Sequence, residues 1–495
     1  MRDSVNQAQV RVKTTSARLS PAEALVNFSS RRIPVVLESS VPTGGYGRFS
    51  IVACDPAEVV SIPYCEATQS DPIERLRRSL TLPTSVVAPS VETPFVGGWI
   101  GFLTYEAGLI SERIPAASLQ DPELPAARFA LYDTAAIFNH TTHQWHVAAV
   151  DWPARTGHRP PAAQRLEKLE SVLQSVSRPS AQRARNPRDV IAEPNMTHDQ
   201  YVAKVRKSIR HIEAGDIYQV NLTQRFSVAS PSTPFQLYRR LREVCPSPFA
   251  AYLPYDDFSV ISASPELFLQ LRGKRVITRP IKGTCPRGTH ALDDARRRFL
   301  LNQSEKERAE LNMIVDLLRN DLGRVCEFGS VRVLSDGDIE SHPNVHHRVA
   351  TIEGRLAEGH DWGDLLRATF PGGSITGAPK IRAMRIISEL EPTTRGVYCG
   401  TIGWIGLDGS ATFNVAIRTM VHVGNIVHAY AGGAITADSD PEAEYQETLA
   451  KATGMFRALG CRTKHDTDEA SKRLRIGGRL DCRDAGSKVV GSTAS

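Results

Sequence analysis

Short apolar runs separated by glycine and proline turns fill the first third of the chain, and this pattern most limits its fold. Residues 34–56, PVVLESSVPTGGYGRFSIVACDP, and the stretches FVGGWIGFLTYEAG, ARFALYDTAAIFNH and HQWHVAAVDW within 95–152 all have it. Runs of this kind, bounded by turn residues, predict β-strands. After an amphipathic helix predicted at 197–214, strands, helices and glycine turns alternate up to about residue 463. The pattern predicts a mixed α/β fold whose first part is rich in strands.

Composition along the chain divides it into four regions. Residues 16–174 are the strand-rich N-terminal region, and residues 196–463 are the region where strands and helices mix. Between them, residues 175–195 are rich in proline, arginine and serine and have no apolar period, which is typical of a linker. Residues 464–495 are polar and end in GSTAS, which predicts a disordered tail. The sequence contains no internal repeat.

Composition and charge argue against several classes of protein. The chain of 495 residues is 41% hydrophobic and lacks a run of about 18 apolar residues, so we expect no membrane span. Its N-terminus lacks the apolar core of a signal peptide, so we expect a cytoplasmic protein. The net charge is +6, but residues 462–495 hold eight basic against five acidic residues, and residues 175–195 hold four against two. Because this excess lies outside the predicted folded elements, we expect no nucleic-acid partner.

The eight cysteines are scattered along the chain. None forms a CxxC pair or stands at zinc spacing from a histidine, so reduced structural thiols are expected.

Two predicted helices each carry a pair of glutamates three residues apart, on one helix face. The pairs are Glu307 and Glu310 in SEKERAELNMIVDLLRNDLG (304–323), and Glu444 and Glu447 in DPEAEYQETLAKA (440–452). Lys451 falls on the same face as the second pair. These glutamates could be ordinary solvated residues, and Glu307 fits a capping box with Ser304. They could also supply the few hard oxygen ligands that Mg²⁺ takes from a protein.

Two turns of small residues could bind an anion. FPGGSITGAPKIRAM (370–384) enters a helix for which Thr376 is a candidate N-cap, and AGGAITADSD (431–440) joins a strand to a helix. Free N–H groups at a helix start attract carboxylates and phosphates. Tight packing is the alternative explanation for the glycines. A predicted hairpin between the two turns carries Tyr398 and Arg418, and an arginine is suited to clamp a carboxylate.

A single lysine, Lys282, lies in RPIKGTCPRG (279–288), where a predicted strand runs into a turn. It could be a solvated residue on a hairpin edge, as most lysines are. It could also be a nucleophile, which would need burial or a nearby cation because an unperturbed lysine has a pKa of about 10.4.

Six motifs follow one another along the second half of the chain. They are PELFL (265–269), PIKGT (280–284), AELNMIVDLLRNDLG (309–323), NVHHRVATIEG (344–354), GGSITGAPKIRAM (372–384) and DPEAEYQETLAKA (440–452). Together they resemble the chorismate-utilising enzymes, a family that includes anthranilate synthase component I, aminodeoxychorismate synthase component I and the isochorismate and salicylate synthases. The resemblance is strong over about 195–463 and weaker over 20–160. It implies one large body of two packed, mainly antiparallel sheets with helices outside, to which the N-terminal half contributes strands.

The resemblance also implies a role for each matching residue. The implied catalytic residues are Lys282, Glu266 and His347. The implied substrate-binding residues are Thr284, Ser374, Gly377, Tyr398, Arg418, Gly432, Gly433 and Lys451. The implied Mg²⁺ ligands, which would hold the ring carboxylate of chorismate, are Glu307, Glu310, Glu444 and Glu447. Ala434 departs from the third glycine that is commoner in the family.

Lys282 decides between members of the family. Anthranilate and isochorismate synthases have alanine where this chain has PIKGT, which resembles aminodeoxychorismate synthase component I. The implied reaction is attack of Lys282 on C2 of chorismate, protonation of the C4 hydroxyl by Glu266, and replacement of the lysine by ammonia to give 4-amino-4-deoxychorismate, a precursor of 4-aminobenzoate and folate. Anthranilate synthase component I is the nearest alternative, an isochorismate synthase would use water, and a non-catalytic binding protein is the remote alternative.

Two partners follow from the resemblance. No cysteine lies in the GxCxG-like elbow of a glutaminase, so a separate glutamine amidotransferase subunit is expected to supply ammonia. VLESS (36–40) and CPSPFAAY (245–252) resemble the two sides of a tryptophan pocket, formed by Glu38, Ser39, Pro248 and Phe249, with Cys245 where an asparagine is common. An ordinary strand end is the alternative for this segment.

Overall fold

The computed structural model describes residues 6–41, 46–64, 70–89, 93–116, 119–175 and 190–463. Its strands are β1 (Gln7–Thr15), β2 (Val35–Glu38), β3 (Phe49–Ala53), β4 (Glu58–Ile62), β5 (Ser85–Val87), β6 (Gly98–Leu103), β7 (Ala127–Tyr132), β8 (Thr134–Asn139), β9 (Gln144–Asp151), β10 (Ile191–Pro194), β11 (Gln219–Ala229), β12 (Phe249–Pro254), β13 (Ser259–Ser264), β14 (Leu267–Arg272), β15 (Arg275–Arg279), β16 (Ile281–Pro286), β17 (Arg332–Ser341), β18 (Val345–Arg355), β19 (Gly377–Ala378), β20 (Thr401–Gly406), β21 (Ala411–Asn414), β22 (Thr419–Val423), β23 (Ile426–Ile435) and β24 (Arg462–Thr463).

The helices in the same ranges are α1 (Pro21–Phe28), α2 (Pro72–Ser79), α3 (Tyr105–Ser111), α4 (Pro153–Thr156), α5 (Ala162–Gln174), α6 (His198–Glu213), α7 (Pro234–Val244), α8 (Ala291–Gln303), α9 (Glu305–Gly323), α10 (Trp362–Thr369), α11 (Lys380–Leu390) and α12 (Pro441–Leu459). A short 3₁₀ turn covers Gly373–Ile375. None of the helices in the described ranges combines the length and the apolar character that a bilayer crossing needs.

The larger sheet has 14 strands among the described residues, in the order β24-β10-β11-β23-β22-β13-β12-β2-β3-β8-β9-β1-β5, with β19 paired to β11. The smaller sheet has ten, in the order β16-β18-β15-β14-β21-β20-β6-β7-β4, with β17 paired to β18. Within these ranges the pairs β1–β5 and β10–β24 are parallel and the other named pairs are antiparallel. Strands from both halves of the chain stand side by side in each sheet. The predicted fold class, two mainly antiparallel sheets to which both halves contribute, is confirmed.

The two sheets pack face to face through large apolar side chains. Val35 and Ile51 of the larger sheet meet Phe102 and Ile402 of the smaller sheet in one buried cluster. Every residue of β6 is buried because both faces of this strand are covered. Helices α1, α5, α7 and α12 cover the larger sheet in a second cluster. A third cluster holds Leu311 and Ile314 of α9 together with Met384 of α11. Two of these helices, α9 and α12, carry the four predicted glutamate ligands, so the core fixes where these glutamates lie.

Local signals in the sequence explain several helix starts. Helix α6 was predicted at 197–214 and observed at His198–Glu213, with Thr197 and Gln200 forming a capping box. The Asp440 side chain accepts the amide hydrogen of Ala443 at the start of α12, with Pro441 at the first position as predicted. Ser304 likewise accepts the amide hydrogen of Glu307 at the start of α9. The predicted hairpin is present as β20 and β21.

Two local predictions about the turns of small residues differ from the structure. Thr376 does not cap a helix, because Gly377 and Ala378 first pair with β11, and α11 begins only after Pro379. The Thr376 hydroxyl instead donates to the carbonyl of Gly372. Gly432 and Gly433 lie inside strand β23 rather than in a turn, paired with Thr223 and Leu222.

Residues at the end of the predicted linker form β10, which pairs with β11 and β24. The predicted linker residues 176–189 and the predicted tail lie outside the described residues.

Candidate active site

A β-bulge sets the direction of the Lys282 side chain. Strand β16 pairs with β18 through Ile281 and Thr284, but the register shifts between them because β16 has one extra residue there. Gly283 occupies the bulge with a φ of 87°, a left-handed conformation that glycine adopts readily. A Cβ atom at this position would stand 3.1 Å from Oε2 of Glu307, so a side chain would also crowd α9. The bulge therefore explains why a glycine follows Lys282.

Lys282 points from this bulge towards the first acidic helix, α9. Its Nζ atom lies 2.8 Å from Oε1 of Glu310, and the two side chains are only 11% and 13% exposed. Lys282 therefore faces inward, towards the predicted metal ligand Glu310, and is not a solvated edge residue.

Glu266 lies close to Lys282 and is buried. The hydroxyl of Ser374 donates to its Oε1 atom at 2.6 Å, which brings the 370–384 turn against the PELFL motif. Burial raises the pKa of Glu266 to about 7, while the Ser374 hydrogen bond and the positive charge of Lys282 act in the opposite direction. A carboxyl group with such a pKa is protonated in a large fraction of molecules near neutral pH, which suits a general acid.

His347 is buried beside Thr284, the strand partner opposite it. The Thr284 Oγ1 atom and the His347 Nδ1 atom are 2.7 Å apart. Burial and then the charge of Arg418 hold the pKa of His347 well below its ordinary value, so the ring is neutral near pH 7. The neighbouring His346 bonds instead to Ser341 and Asp294, away from this set. The two adjacent histidines thus have different hydrogen-bond partners.

Arg418 and Tyr398 are the residues predicted to bind carboxylates, and the structure gives each different surroundings. Arg418 has a φ of 50°, which is unusual for a residue other than glycine, just before β22. Within the described part of the chain its guanidinium has no hydrogen-bond or ion-pair partner, and burial lowers its pKa. The Tyr398 ring stacks on Tyr430, with centroids 5.4 Å apart and planes 10° apart. An arginine held in this way without a carboxylate is suited to bind one from a ligand.

The second acidic helix, α12, packs against the two glycines of β23. A Cβ atom at Gly433 would stand 3.0 Å from Oε2 of Glu444, so the absence of a side chain lets the helix approach. Lys451 bonds to Oε1 of Glu447 at 2.7 Å and to the carbonyl oxygen of Gly432 at 3.1 Å. Lys451, Gly432 and Gly433 are therefore brought together, as the resemblance implies.

The four glutamates interact electrostatically across the two helices. Burial, and then the charge of Glu310, raise the pKa of Glu307, on which Glu447 acts in the same direction. Burial also raises the pKa of Glu444, whose Oε2 atom is buried without a hydrogen-bond partner. Burial works against ionisation of Glu447, but Lys451 and other lysines hold its pKa below the ordinary value. Repelling carboxylates with an unpaired oxygen have the donor chemistry that a magnesium ion takes.

The geometry is not that of a complete metal cage. In the described ranges, no three carboxylate, histidine or cysteine side chains converge closely enough to ligate one ion. Glu310 and Glu447 are instead each bonded to a lysine.

Two lysines of the site were missed from the sequence. Lys306 acts on Glu307, Glu444 and Glu447, and it could have been noticed because it adjoins Glu307 at the start of α9. Lys380 is buried and donates to Asp321 at 2.5 Å and to the carbonyl of Thr369 at 2.7 Å. This pair ties the end of α9 to the start of α11 and holds the 370–384 turn. Gly377 serves the same turn, since a Cβ atom there would meet the carbonyl of Gln219 at 2.2 Å.

Three of the four residues predicted to bind tryptophan line a separate cavity between the sheets. Glu38, Pro248 and Phe249 line it, together with Tyr46 and Trp404. Glu38 is buried and accepts hydrogen bonds from Tyr238 at 2.7 Å and from Arg242 at 2.7 Å. Ser39 is next to this cavity but does not line it, and its hydroxyl donates to the carbonyl of Val41.

Comparison with known proteins agrees with this arrangement. Residues 37–457 match the chorismate binding enzyme family. The chain is 41% identical to anthranilate synthase component 1 of Streptomyces coelicolor over 433 residues, which cover 86% of this chain and 83% of that protein. It is 39% identical to aminodeoxychorismate synthase component 1 of Bacillus subtilis over 447 residues, which cover 87% and 92%. The crystal structure of anthranilate synthase component I from Streptococcus pneumoniae superimposes with a TM-score of 0.73 at 32% identity, covering 90% of this chain and 98% of that one. With the fold, the paired acidic helices and the family match all in agreement, the chain belongs to the chorismate binding enzymes.

Proposed function

We propose that the protein is the chorismate-aminating subunit of an aminodeoxychorismate synthase, which converts chorismate and ammonia to 4-amino-4-deoxychorismate. The observation that carries the proposal is Lys282, an inward-facing amine placed by a bulge beside Glu310 and near Glu266. Overall identity does not choose the product, because relatives with either name are similar to the same degree. The lysine in the PIKGT motif supports amination at C4, since the resemblance implies alanine there in anthranilate synthases.

The reaction proceeds in two displacements. In the first, the nitrogen of Lys282 bonds to C2, the ring double bonds shift, and the bond between C4 and its oxygen breaks. Glu266 gives its proton to the departing hydroxyl, which leaves as water. In the second, ammonia bonds to C4, the double bonds shift back, and the bond between C2 and Lys282 breaks. The Glu266 carboxylate takes the surplus proton of the new amine, so one chorismate and one ammonia yield one product and one water.

The remaining residues orient the substrate. Arg418 and Tyr398 receive its carboxylates, and Gly432 and Gly433 allow close approach of the ring to the strand. His347, neutral and held by Thr284, lies at the leaving group. The attack requires a neutral amine, so Lys282 has to leave its ion pair with Glu310 and release its extra proton to water before it bonds to C2. Substrate binding therefore has to rearrange this contact.

Mg²⁺ is part of the proposal. Glu310 and Glu447, one from each acidic helix, would hold it with Glu307 and Glu444 in support, and the ion would supply positive charge that binds the ring carboxylate of chorismate. Treatment with a chelator is expected to abolish turnover, and Mg²⁺ to restore it. Full activity in the chelated protein would remove the ion from the proposal.

The ammonia is proposed to come from a separate glutamine amidotransferase subunit in the cytoplasm. The curated relatives are named as component 1 of their synthases, which supports a partner subunit. The product would serve as a precursor of 4-aminobenzoate and folate.

One assay tests the reaction. The purified chain is incubated with chorismate, Mg²⁺ and an ammonium salt, and the products are identified by mass. Aminodeoxychorismate is the expected product. Anthranilate, detected by its fluorescence, would instead establish the second candidate, an anthranilate synthase component 1, to which the chain is similar to the same degree.

Tryptophan is proposed as a ligand of the cavity at Glu38. The lining of this cavity includes the Glu38 carboxylate and the aromatic rings of Phe249 and Trp404, which suit a ligand with an ammonium group and an aromatic ring. A rise in melting temperature with tryptophan, lost in Glu38→Gln, is expected. An unchanged melting temperature at millimolar tryptophan would contradict tryptophan binding in this cavity.

A further inference from the structure

Three consecutive carbonyl groups of the turn that carries Ser374 accept hydrogen bonds from two residues outside the turn. The side-chain amide of Asn221 donates to the carbonyl of Ser374 at 2.7 Å, and its main-chain amide donates to that of Thr376 at 2.8 Å. The guanidinium of Arg395 donates to the carbonyl of Ile375 at 2.9 Å. Because the turn is buried, loss of either donor would leave a carbonyl group without a partner away from water.

Arg395 also holds Asn221 itself, through a hydrogen bond from Nη2 to the main-chain carbonyl of Asn221 at 2.9 Å. Glu391 fixes the guanidinium, since it accepts from Nε at 2.8 Å and from Nη2 at 2.7 Å. The same carboxylate accepts the amide hydrogen of Thr223 at 2.9 Å. The Arg395 and Glu391 side chains are only 2% and 5% exposed, and a buried bidentate pair permits little change of geometry. The pair therefore holds strand β11 in a fixed position against the turn.

The turn directs the Ser374 hydroxyl to Glu266. The hydroxyl donates to Oε1 of Glu266 at 2.6 Å, and both residues are buried. The other groups that act on this carboxyl are the charge of Lys282 and the main-chain amide of Ile281, both from strand β16. Since a single rotatable bond separates the Ser374 main chain from its hydroxyl, the position of the hydroxyl follows that of the turn.

We infer that Asn221 and Arg395 are positioning residues for the general acid Glu266 and act through the Ser374 hydroxyl. The inference rests on the proposed function, in which Glu266 protonates the departing C4 hydroxyl. Neither positioning residue is among those that the family resemblance assigns to the site. Without the Asn221 side chain the turn gains freedom, so the hydroxyl leaves Oε1 in part of the molecules. The carboxyl then no longer holds its proton in one direction, which slows its transfer.

Asn221→Ala tests this role while it leaves the buried pair of Arg395 and Glu391 in place. With saturating chorismate and ammonium, kcat below pH 7 is expected to fall about 10-fold, because the acid is no longer held in one position. The Ser374 hydrogen bond lowers the pKa of Glu266, so the alkaline decline of kcat/KM should also move to higher pH, by on the order of one unit. A variant that was only less stable would lose activity without this shift.

Asn27→Ala is the matched control. The Asn27 side chain on α1 likewise donates to main-chain carbonyls, those of Val172 at 3.1 Å and Ser175 at 2.6 Å. Its removal should lower the melting temperature at least as much as Asn221→Ala does, since it loses two hydrogen bonds. Because these bonds join α1 to the end of α5, kcat and the position of the alkaline decline should stay unchanged.

A double-mutant cycle shows whether Asn221 acts through Ser374. Ser374→Ala removes the hydroxyl and should shift the alkaline decline at least as far as Asn221→Ala. In the Ser374→Ala chain, the further change Asn221→Ala should alter kcat by less than about twofold, because the contact that it positions is already lost. Arg395→Lys keeps a charge for Glu391 but loses the planar set of donors, so it should shift the decline in the same direction.

Three results would overturn the inference or the function beneath it. If Asn221→Ala has the kcat and the pH profile of the unchanged chain, Glu266 does not depend on this residue. If the effects of Asn221→Ala and Ser374→Ala on kcat multiply in the double variant, Asn221 acts independently of the hydroxyl and the inference is wrong. If the unchanged chain fails to aminate chorismate with ammonium, the proposed function fails. Infrared titration of the Glu266 carboxyl, with and without Asn221→Ala, then still tests the positioning.

Discussion

Two lysine–glutamate pairs face the site, with the same chemistry and nearly the same length. Lys282 and Glu310 are 2.8 Å apart, join strand β16 to helix α9, and are 11% and 13% exposed. Lys451 and Glu447 are 2.7 Å apart, lie one turn apart within α12, and are 50% and 49% exposed. The first pair depends on the fold of the whole smaller sheet, whereas the second forms wherever α12 is helical.

The difference shows that the distance between the charged atoms does not determine how much each pair contributes to stability. An exposed pair one turn apart on a helix stabilises by about 0.3–0.5 kcal/mol, since water screens both charges. Removing one partner of a buried pair costs about 3–5 kcal/mol, because the other charge stays buried without compensation. We therefore expect Lys282 to dominate both chemistry and local stability, and Lys451 to adjust binding.

The largest expected effect is that of Lys282→Ala. Loss of the nucleophile should lower aminodeoxychorismate formation by at least about 10³-fold with saturating ammonium. Lys282→Arg is the matched variant, since it keeps a positive charge for Glu310 but supplies no nucleophile, and should be as inactive while remaining more stable to urea. Turnover near that of the unchanged chain in either variant would contradict the nucleophilic role.

Glu266→Gln should have the next largest effect. The amide cannot donate the proton that the C4 hydroxyl needs, so kcat should fall by about 10²–10⁴-fold, as for other general acids. The Ser374 hydroxyl can still donate to the amide oxygen, so the fold should be kept, as circular dichroism would show. A rise in KM alone, with kcat unchanged, would assign Glu266 to binding.

The pH dependence of stability and of activity is expected to follow Glu266. The pKa of Glu266 is about 7 in the fold against an ordinary 4.5. Between these values the folded protein keeps a proton that the unfolded chain releases, so the free energy of unfolding falls as pH rises through this window. Above about pH 7, kcat/KM with ammonium should decline as the acid form is lost, and Glu266→Gln should remove this limb.

The charge of Lys282 lowers the pKa of Glu266, whereas Lys451 has no such effect. Lys282→Met should therefore raise the pH at which the Glu266 carboxyl titrates, followed by infrared difference spectra. Lys451→Met should leave it unchanged. Equal shifts in the two variants would show that the two pairs are not distinct.

The smallest effect is expected for Lys451→Ala. Loss of an exposed pair should change the free energy of unfolding in urea by no more than about 0.5 kcal/mol. Because Lys451 also bonds to the Gly432 carbonyl near the proposed carboxylate site, KM for chorismate should rise severalfold while kcat changes little. A loss of turnover as large as that of Lys282→Ala would contradict the expected difference between the buried and the exposed pair.

The sequence predicted what depends on local chemistry. Residues close together in the sequence determine three features that the structure has: the apolar period of α9, the capping by Asp440 at α12, and the turn between β20 and β21. The fold class was predicted from the resemblance of the ordered motifs to the chorismate-utilising enzymes, because apolar runs predict strands but do not show which strands pair.

What the sequence could not predict depends on distant pairing. The bulge at Gly283 exists only because β16 meets β18, about 60 residues further on. Helix α11 begins later than predicted because Gly377 and Ala378 pair with β11. Gly432 pairs with the same strand, although the residues around it in the sequence predict a turn. Lys306 faces the carboxylates because α9 and α12 come together, which no window of sequence contains.

The placement of β6 beside β20 has a consequence for synthesis of the chain on the ribosome. Every residue of β6 is buried, yet one of its two neighbours, β20, is translated near the end of the chain. At ordinary rates of elongation this leaves an apolar strand without its cover for on the order of tens of seconds. A nascent chain that ends before residue 401 leaves one edge of β6 unpaired and open to other chains. Synthesis of β20 closes this edge and so protects the N-terminal part of the protein from aggregation.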